Sequence, residues 1–326
     1  MKIAILDDYQ DVVRRLDCFS MLQDHEVKVF THTARGAGQL AVRLADFDAL
    51  VLIRERTILS RALLLRLPKL KLVSQTGKVS GHIDLATASE RGITITEGIG
   101  DPTAPAELTW TLIMAGMRRL PQYTRNLRDG LWQTSSSSWD KNTLGRKLKG
   151  RTLAIWGYGR IGRLVAAYGQ AFGMNVLVWG RSASLAAAQQ DGLRTATSRT
   201  AFFEEADVLT LHLRLNEATR GIVTAHDLAC MKPDALFVNT SRAELLAPEA
   251  LQTALEAGRP GYAALDVFDN EPLPPTSPLL RMENVLATPH LGYVEQDSYE
   301  QYFSSAFQNI LDYAAGTPRN VLNAPA

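Results

Sequence analysis

Short apolar runs recur along the first hundred residues, at 2–6, 27–31, Ala49–Ile53, 70–75 and 93–95. Between them, stretches such as 12–22 and 40–44 carry apolar residues at helical spacing. Uninterrupted apolar runs alternating with amphipathic stretches predict parallel strands buried on both faces by helices. A long helix is expected over 106–128, with Pro105 near its first turn and a break in the alternation just before it, at 99–105. The polar stretch 134–138, between Trp132 and Trp139, reads as a solvated loop. The alternation then resumes, with strands expected at 207–213, 235–240, 262–267 and Val285–Ala287, and helices at 224–231, 248–257 and 298–315.

The middle of the chain, 153–182, carries the most specific pattern. An apolar run at 153–156 is followed by Gly157, Gly159 and Gly162, then by Ile161, Leu164, Val165, Tyr168 and Phe172 at helical spacing, then by a second apolar run at 176–179. This is strand, G-x-G-x-x-G, helix and strand in about thirty residues, the context a dinucleotide-binding fingerprint requires. Gly157 allows the tight turn, Gly159 leaves room for a pyrophosphate, and Gly162 lets the helix pack closely. Arg160 and Ile161 lie within the turn, whose helix N-terminus would face the phosphates. The second strand ends in Gly180, Arg181 and Ser182, without the acid that holds the ribose hydroxyls of NAD. An Arg fork and a hydroxyl suit a 2′-phosphate, so NADP(H) is the expected cofactor. The alternative is NAD(H), with Arg181 stacked on the adenine.

Composition narrows the partners. The 326 residues are 46% hydrophobic, enough for two domains, and 35 basic against 34 acidic residues give a net charge of +1. No basic surplus argues for nucleic acid or a membrane surface. No apolar run has the length of a membrane span, and the first residues lack a signal-peptide pattern, so a cytoplasmic protein is expected. Cys18 and Cys230 fit isolated buried thiols, and no metal site is expected.

Candidate chemistry lies at expected strand ends. Arg54 and the segment Gly77-Lys78-Val79 could receive an anion, or form ordinary solvated turns. His82 and Asp84 read as a buried or capping pair at a helix start. Arg242, the segment from Asp266 to Glu271, and His290 each follow a strand of the second half. A His can protonate a new alkoxide, a carboxylate behind it can fix its tautomer, and an Arg can hold a substrate carboxylate and polarise the carbonyl. Taken singly, His290 could equally be a core histidine and Glu271-Pro272 a loop.

The segments GYGRIG, LHLRLNEATRG, MKPDALFVNTSRAELL, ALDVFDNEP and NVLATPHLGY occur together and in this order. With them the chain resembles the D-isomer-specific 2-hydroxyacid dehydrogenases, a family that includes glyoxylate/hydroxypyruvate reductases and phosphoglycerate dehydrogenases. The resemblance implies an α/β chain of two doubly wound parallel-sheet domains. A Rossmann nucleotide-binding domain at 101–290 would be inserted into a flavodoxin-like substrate domain made of 1–100 and 291–326, with the active site in the cleft. It implies Arg242 as the substrate-binding and polarising residue, Glu271 as the partner of His290, and His290 as acid/base. It places His212 on the pyrophosphate side of the cofactor, Thr240 and Asp266 near its nicotinamide end, and Lys78 and Val79 in the substrate-anion loop. The substrate would be a small anionic 2-oxo or 2-hydroxy acid such as glyoxylate or hydroxypyruvate, and the assembly a homodimer. The chain departs from the family at Gly180-Arg181, at Ala243 after Arg242, and at Arg214, whose loop position fits contact with solvent or with cofactor. Lys78 replaces a small residue, as in phosphite dehydrogenases, which remain an alternative. A non-catalytic corepressor-type scaffold is a second alternative. A missing catalytic residue or an added tail would mark it, whereas Arg242, Glu271 and His290 are all present and the chain ends six residues after Asn320.

Overall fold

Ala49–Ile53, buried at every position, forms one of the central strands of a five-stranded parallel sheet in the first unit. The computed structural model describes residues 1–34 and 36–323. The chain divides into two compact units, Met1–Asp101 with Glu295–Ala326, and Pro102–Val294.

The strands of the first unit are β1 (Lys2–Ile5), β2 (Glu26–Val29), β3 (Ala49–Ile53), β4 (Leu72–Thr76) and β5 (Thr94–Thr96), in the order β2-β1-β3-β4-β5. That is the flavodoxin-like order, with its reversal between β1 and β3. The helix Gln296–Ala314 belongs to this unit and packs on β4, where Ser74 donates to the Ala306 carbonyl at 2.8 Å. Its N-cap is Glu295, which accepts from the amides of Ser298 and Asp297 at 2.6 and 2.8 Å. Residues 12–22 form two 3-10 turns, Val13–Arg15 and Asp17–Leu22, rather than one helix. Leu16 is extended between them, and the Glu300 carboxylate takes the free amides of Asp17 and Cys18. His82 is buried, and Asp84 caps the helix Leu85–Glu90 by accepting from Thr87. Cys18 is buried and Cys230 half-buried, and both are free thiols.

The second unit holds β6 (Thr152–Trp156), β7 (Asn175–Trp179), β8 (Arg194–Thr195), β9 (Val208–Leu211), β10 (Leu236–Asn239), β11 (Tyr262–Leu265) and β12 (Val285–Ala287). Their order is β12-β11-β10-β9-β6-β7-β8, all parallel, with the reversal between β6 and β9. This is the Rossmann arrangement, in which ligands bind outside the strand ends at the reversal. Short β8 and the helices Ser182–Gln190 and Arg199–Glu205 lie where the sequence pattern is weakest. The first of these helices buries only Ala188, so it has almost no apolar stripe to read.

The long helix expected over 106–128 is two helices, Thr103–Met117 and Leu120–Arg128. Arg119 breaks it in the left-handed region, at φ 55°, and Pro121 sits in the first turn of the second helix. Proline there lacks the N–H that a continuous helix would need and is tolerated only at a helix start. Arg119 is buried over the Tyr262 ring, and this burial lowers its guanidinium to about 10. The serine stretch is also more than a solvated loop. Ser135 and Ser136 are buried, the first bonded to Asn142 and Thr143 and the second to Glu283.

Candidate active site

One row of residues crosses the second sheet in register: Trp179, Trp156, Leu211, Asn239, Leu265 and Ala287. The residue after each is Gly180, Gly157, His212, Thr240, Asp266 or Thr288. The sequence positions singled out for cofactor and catalysis therefore emerge from a single edge. At about 4.8 Å per strand, Gly157 and Asp266 stand about 14 Å apart.

The fingerprint glycines have distinct surroundings. Gly157 has φ 102°, and a Cβ there would meet the His212 carbonyl at 2.5 Å. A Cβ on Gly162 would meet the Gly157 carbonyl at 2.2 Å and Ile155 of β6 at 3.4 Å. The crowding is thus first with the turn and only then with the strand. A Cβ on Gly159 would meet nothing within 4 Å. The open side at Gly159, at the start of the helix Arg160–Ala171, fits a pyrophosphate approaching the helix amides. Arg160 is exposed and Ile161 packs against the core. Arg181 and Ser182 are exposed, with Arg181 at the N-cap of the next helix. No carboxylate occupies 180–182.

His212 donates or accepts a hydrogen bond with Thr210 at 3.1 Å, and burial pushes its imidazole down to about 4. It is therefore neutral near pH 7, and no positive charge is available from it. Thr240 is bonded to Thr109 of the helix Thr103–Met117 at 2.7 Å.

His290 Nδ1 lies 2.6 Å from Glu271 Oε2. The other oxygen, Glu271 Oε1, accepts the Phe268 amide at 2.9 Å, which fixes the carboxylate between backbone and imidazole. His290 is in the left-handed region at φ 55°, and its ring meets Tyr293 edge-on, with centroids 5.4 Å apart. Non-glycine residues held there are uncommon and concentrate at functional sites. The geometry engages Nδ1 with the Glu271 carboxylate. Arg242 follows β10, the neighbour of β11; its carbonyl is held by Asn239 and its guanidinium bonds the Ser241 carbonyl at 2.6 Å.

Asp266 plays a part that sequence spacing did not suggest. It is fully buried, and it accepts from Thr288 Oγ1 and the Leu291 amide at 2.7 Å each and from the Gly292 amide at 2.9 Å. Both oxygens thus bind the loop that carries His290. Burial raises its carboxyl above the usual range, against the opposing bonds from Thr288 and Leu291.

In the first unit, Arg54 and the loop after β4 come together. Arg54 has φ 52°, and a Cβ on Gly77, itself at φ 92°, would fall 2.1 Å from the end of its guanidinium and displace that side chain. Lys78 is exposed and paired with Glu97, a residue with no motif to flag it, while Val79 is buried.

Residues 110–292 match the family model for the NAD binding domain of D-isomer specific 2-hydroxyacid dehydrogenases. The chain belongs to this family. It is 36% identical to a glyoxylate reductase of Aeropyrum pernix, over 80% of this chain and 78% of that one. It is 32% identical to a D-3-phosphoglycerate dehydrogenase of Methanocaldococcus jannaschii over its whole length, and spans 60% of that longer protein. A crystal structure from Ralstonia solanacearum, provisionally assigned as a D-3-phosphoglycerate dehydrogenase, is 60% identical, covers 100% of this chain and 97% of its own, and superposes with a TM-score of 0.98. The family match makes the second unit a nicotinamide-dinucleotide-binding domain. No helix among the described residues is long and apolar enough to cross a membrane.

Proposed function

We propose that this protein is an NADP(H)-preferring reductase of a small 2-oxo acid, with glyoxylate and hydroxypyruvate as the representative substrates, working in reverse as a D-2-hydroxyacid dehydrogenase. The observation that carries the reading is the 2.6 Å His290–Glu271 pair on the strand edge that also bears the fingerprint turn.

The bound cofactor supplies the hydride. His290 Nε2 gives a proton to the oxygen of the reduced carbonyl, and Glu271 stabilises the imidazolium before transfer and holds its tautomer. Arg242 grips the substrate carboxylate and polarises the carbonyl. Arg54, Lys78 and Val79 are assigned to the substrate anion, and Thr240 and Asp266 to the nicotinamide side. Gly157, Gly159, Arg160, Ile161 and Gly162 are assigned to the pyrophosphate. His212, being neutral, acts there as a hydrogen-bonding group only. Arg181 and Ser182 are assigned to the 2′-phosphate, supported by their exposure and by the missing acid.

Trp132, Trp139 and Leu144 are 75%, 93% and 83% exposed on the arm that follows the helix Leu120–Arg128. Apolar side chains this exposed favour burial against a second copy, so a homodimer is part of the proposal.

The test is steady-state oxidation of NADPH and NADH with glyoxylate, hydroxypyruvate and bulkier 2-oxo acids. Turnover of a small acid with NADPH is expected, and it should vanish in His290→Ala while cofactor affinity stays within about threefold. Tight cofactor binding without turnover of any 2-oxo acid would overturn the reading in favour of phosphite oxidation, or of a scaffold if phosphite is also inert.

A further inference from the structure

The cations at the carboxyl ends of β3 and β4 each have a local partner. Arg54 Nε lies 4.0 Å from Glu55, Lys78 pairs with Glu97, and Arg56 donates to the Asp7 carbonyl at 2.7 Å. Glu97 directly follows β5, the sheet neighbour of β4, and its second oxygen lies 3.4 Å from the Val79 amide. Both groups that the loop offers an anion, the Lys78 ammonium and the Val79 N–H, are therefore directed at this one carboxylate.

Glu97 is much better fixed than its partner. Its amide donates to the Asn320 carbonyl at 3.1 Å, and its carbonyl accepts from the buried Asn309 at 3.2 Å. Asn320 and Asn309 are themselves bonded at 2.9 Å. The next residue, Gly98, donates to the Gly77 carbonyl at 2.8 Å, and a Cβ on it would fall 2.6 Å from the Gly77 nitrogen. The Glu97 side chain is 20% exposed, against 64% for Lys78. A pair this open on its lysine side is weak enough to exchange partners, so the ammonium can turn to a substrate while the carboxylate stays.

We propose that Glu97 is a built-in counter-ion that sets the charge of substrate this loop accepts: a single carboxylate, in preference to a phosphorylated 2-oxo acid. Arg54 is matched by Glu55 and Lys78 by Glu97, while Arg56 is turned to the Asp7 carbonyl, so the Lys78 loop itself offers no unmatched cation to a substrate. A substrate carboxylate can take the place of Glu97 on Lys78. A phosphate group of charge about −1.5 to −2 brought to the same loop would sit beside a carboxylate that the backbone holds in place. The proposal rests on the assignment of Lys78 and Val79 to the substrate anion.

Hydroxypyruvate and 3-phosphohydroxypyruvate are the probes, with the full chain as wild type, Glu97→Gln, Glu97→Asp and Lys78→Ala. Wild type should favour hydroxypyruvate in kcat/KM by about tenfold or more, and Glu97→Gln should lower KM for the phosphorylated acid about tenfold, with less effect on hydroxypyruvate. Glu97→Asp keeps the charge and should keep the preference. Raised KM in Lys78→Ala with no change in Glu97→Gln would overturn the role of Glu97 alone, as would a wild-type preference for the phosphorylated acid. No change of either KM in Lys78→Ala would overturn the loop assignment together with it. Failure of the wild type to reduce either acid would overturn the proposed function and this inference together.

Discussion

Asp266 accepts the amide of Leu291 at 2.7 Å and so fixes the residue that follows His290. Its remaining bonds go to Thr288 and Gly292, which makes it the fastening of the whole loop. An Asn at this site would turn an N–H₂ group toward one of these donors. Asp266→Asn is therefore expected to lower kcat about 10²-fold, the loss that a misplacement near 1 Å produces. Amide exchange over 288–294 should accelerate in the same variant. Normal exchange with reduced kcat would assign Asp266 to direct contact with the reacting groups instead.

Gly162 and Gly159 separate packing from binding. Gly162→Ala puts a methyl 2.2 Å from the Gly157 carbonyl, a backbone atom that cannot turn aside. The expected cost is at least about 1–3 kcal/mol of stability, with cofactor affinity falling as the turn distorts. Gly159→Ala meets open space and should keep its stability within about 0.5–1 kcal/mol of wild type, yet still lose cofactor affinity because the methyl stands where the proposed assignment brings the pyrophosphate. Thermal melts with and without cofactor check both. Unchanged cofactor binding in Gly159→Ala would remove the pyrophosphate from that side of the turn.

Much of this was legible in the chain because buried parallel strands are continuous apolar runs. Ala49–Ile53 and Val285–Ala287 can be delimited from the runs alone. The fingerprint is local, so its turn and helix follow from spacing. What stayed hidden depends on partners distant in sequence or on backbone conformation. Arg119 turns left-handed inside an otherwise helical run, although Pro121 was a signal for the break. Ser135 and Ser136 are buried through bonds to Asn142, Thr143 and Glu283 that no periodicity encodes. Glu97 meets Lys78 only because β4 and β5 are neighbours in the sheet. Asp266 stood out as a strand-end acid, but its bonds to Thr288, Leu291 and Gly292 follow only from the pairing of β11 with β12.

His212 gives a pH signature with a definite sign. Burial holds it near 4 in the fold, against about 6.5 in the unfolded chain. Between those values the unfolded state binds the extra proton, so this contribution to stability is present above about pH 6.5 and is lost as pH falls toward 4. His212→Gln has no proton to gain, and its melting temperature should fall less than that of wild type between pH 7 and pH 4.5. Activity limbs above pH 6 should be the same in both proteins, since His212 is neutral there. A limb that moved with His212→Gln would mean that the group titrates in the working range.

Under the proposed preference for NADP(H), Arg181 discriminates between the two cofactors by charge. It stands exposed at the N-cap of the helix Ser182–Gln190, with Ser182 beside it and no carboxylate at 180–182. A guanidinium there can pair with a 2′-phosphate in two parallel hydrogen bonds, and each charge-assisted bond is worth about 1.5–3 kcal/mol. Arg181→Ala should raise KM for NADPH about 10–100-fold and leave KM for NADH within about threefold. Arg181→Asp should go further, repelling the phosphate while offering the ribose hydroxyls of NADH a new acceptor. The effect on NADPH should shrink as salt rises, because an exposed pair is screened. Equal losses with both cofactors in Arg181→Ala would place the side chain on the adenine ring, and the preference for NADP(H) would have to come from elsewhere.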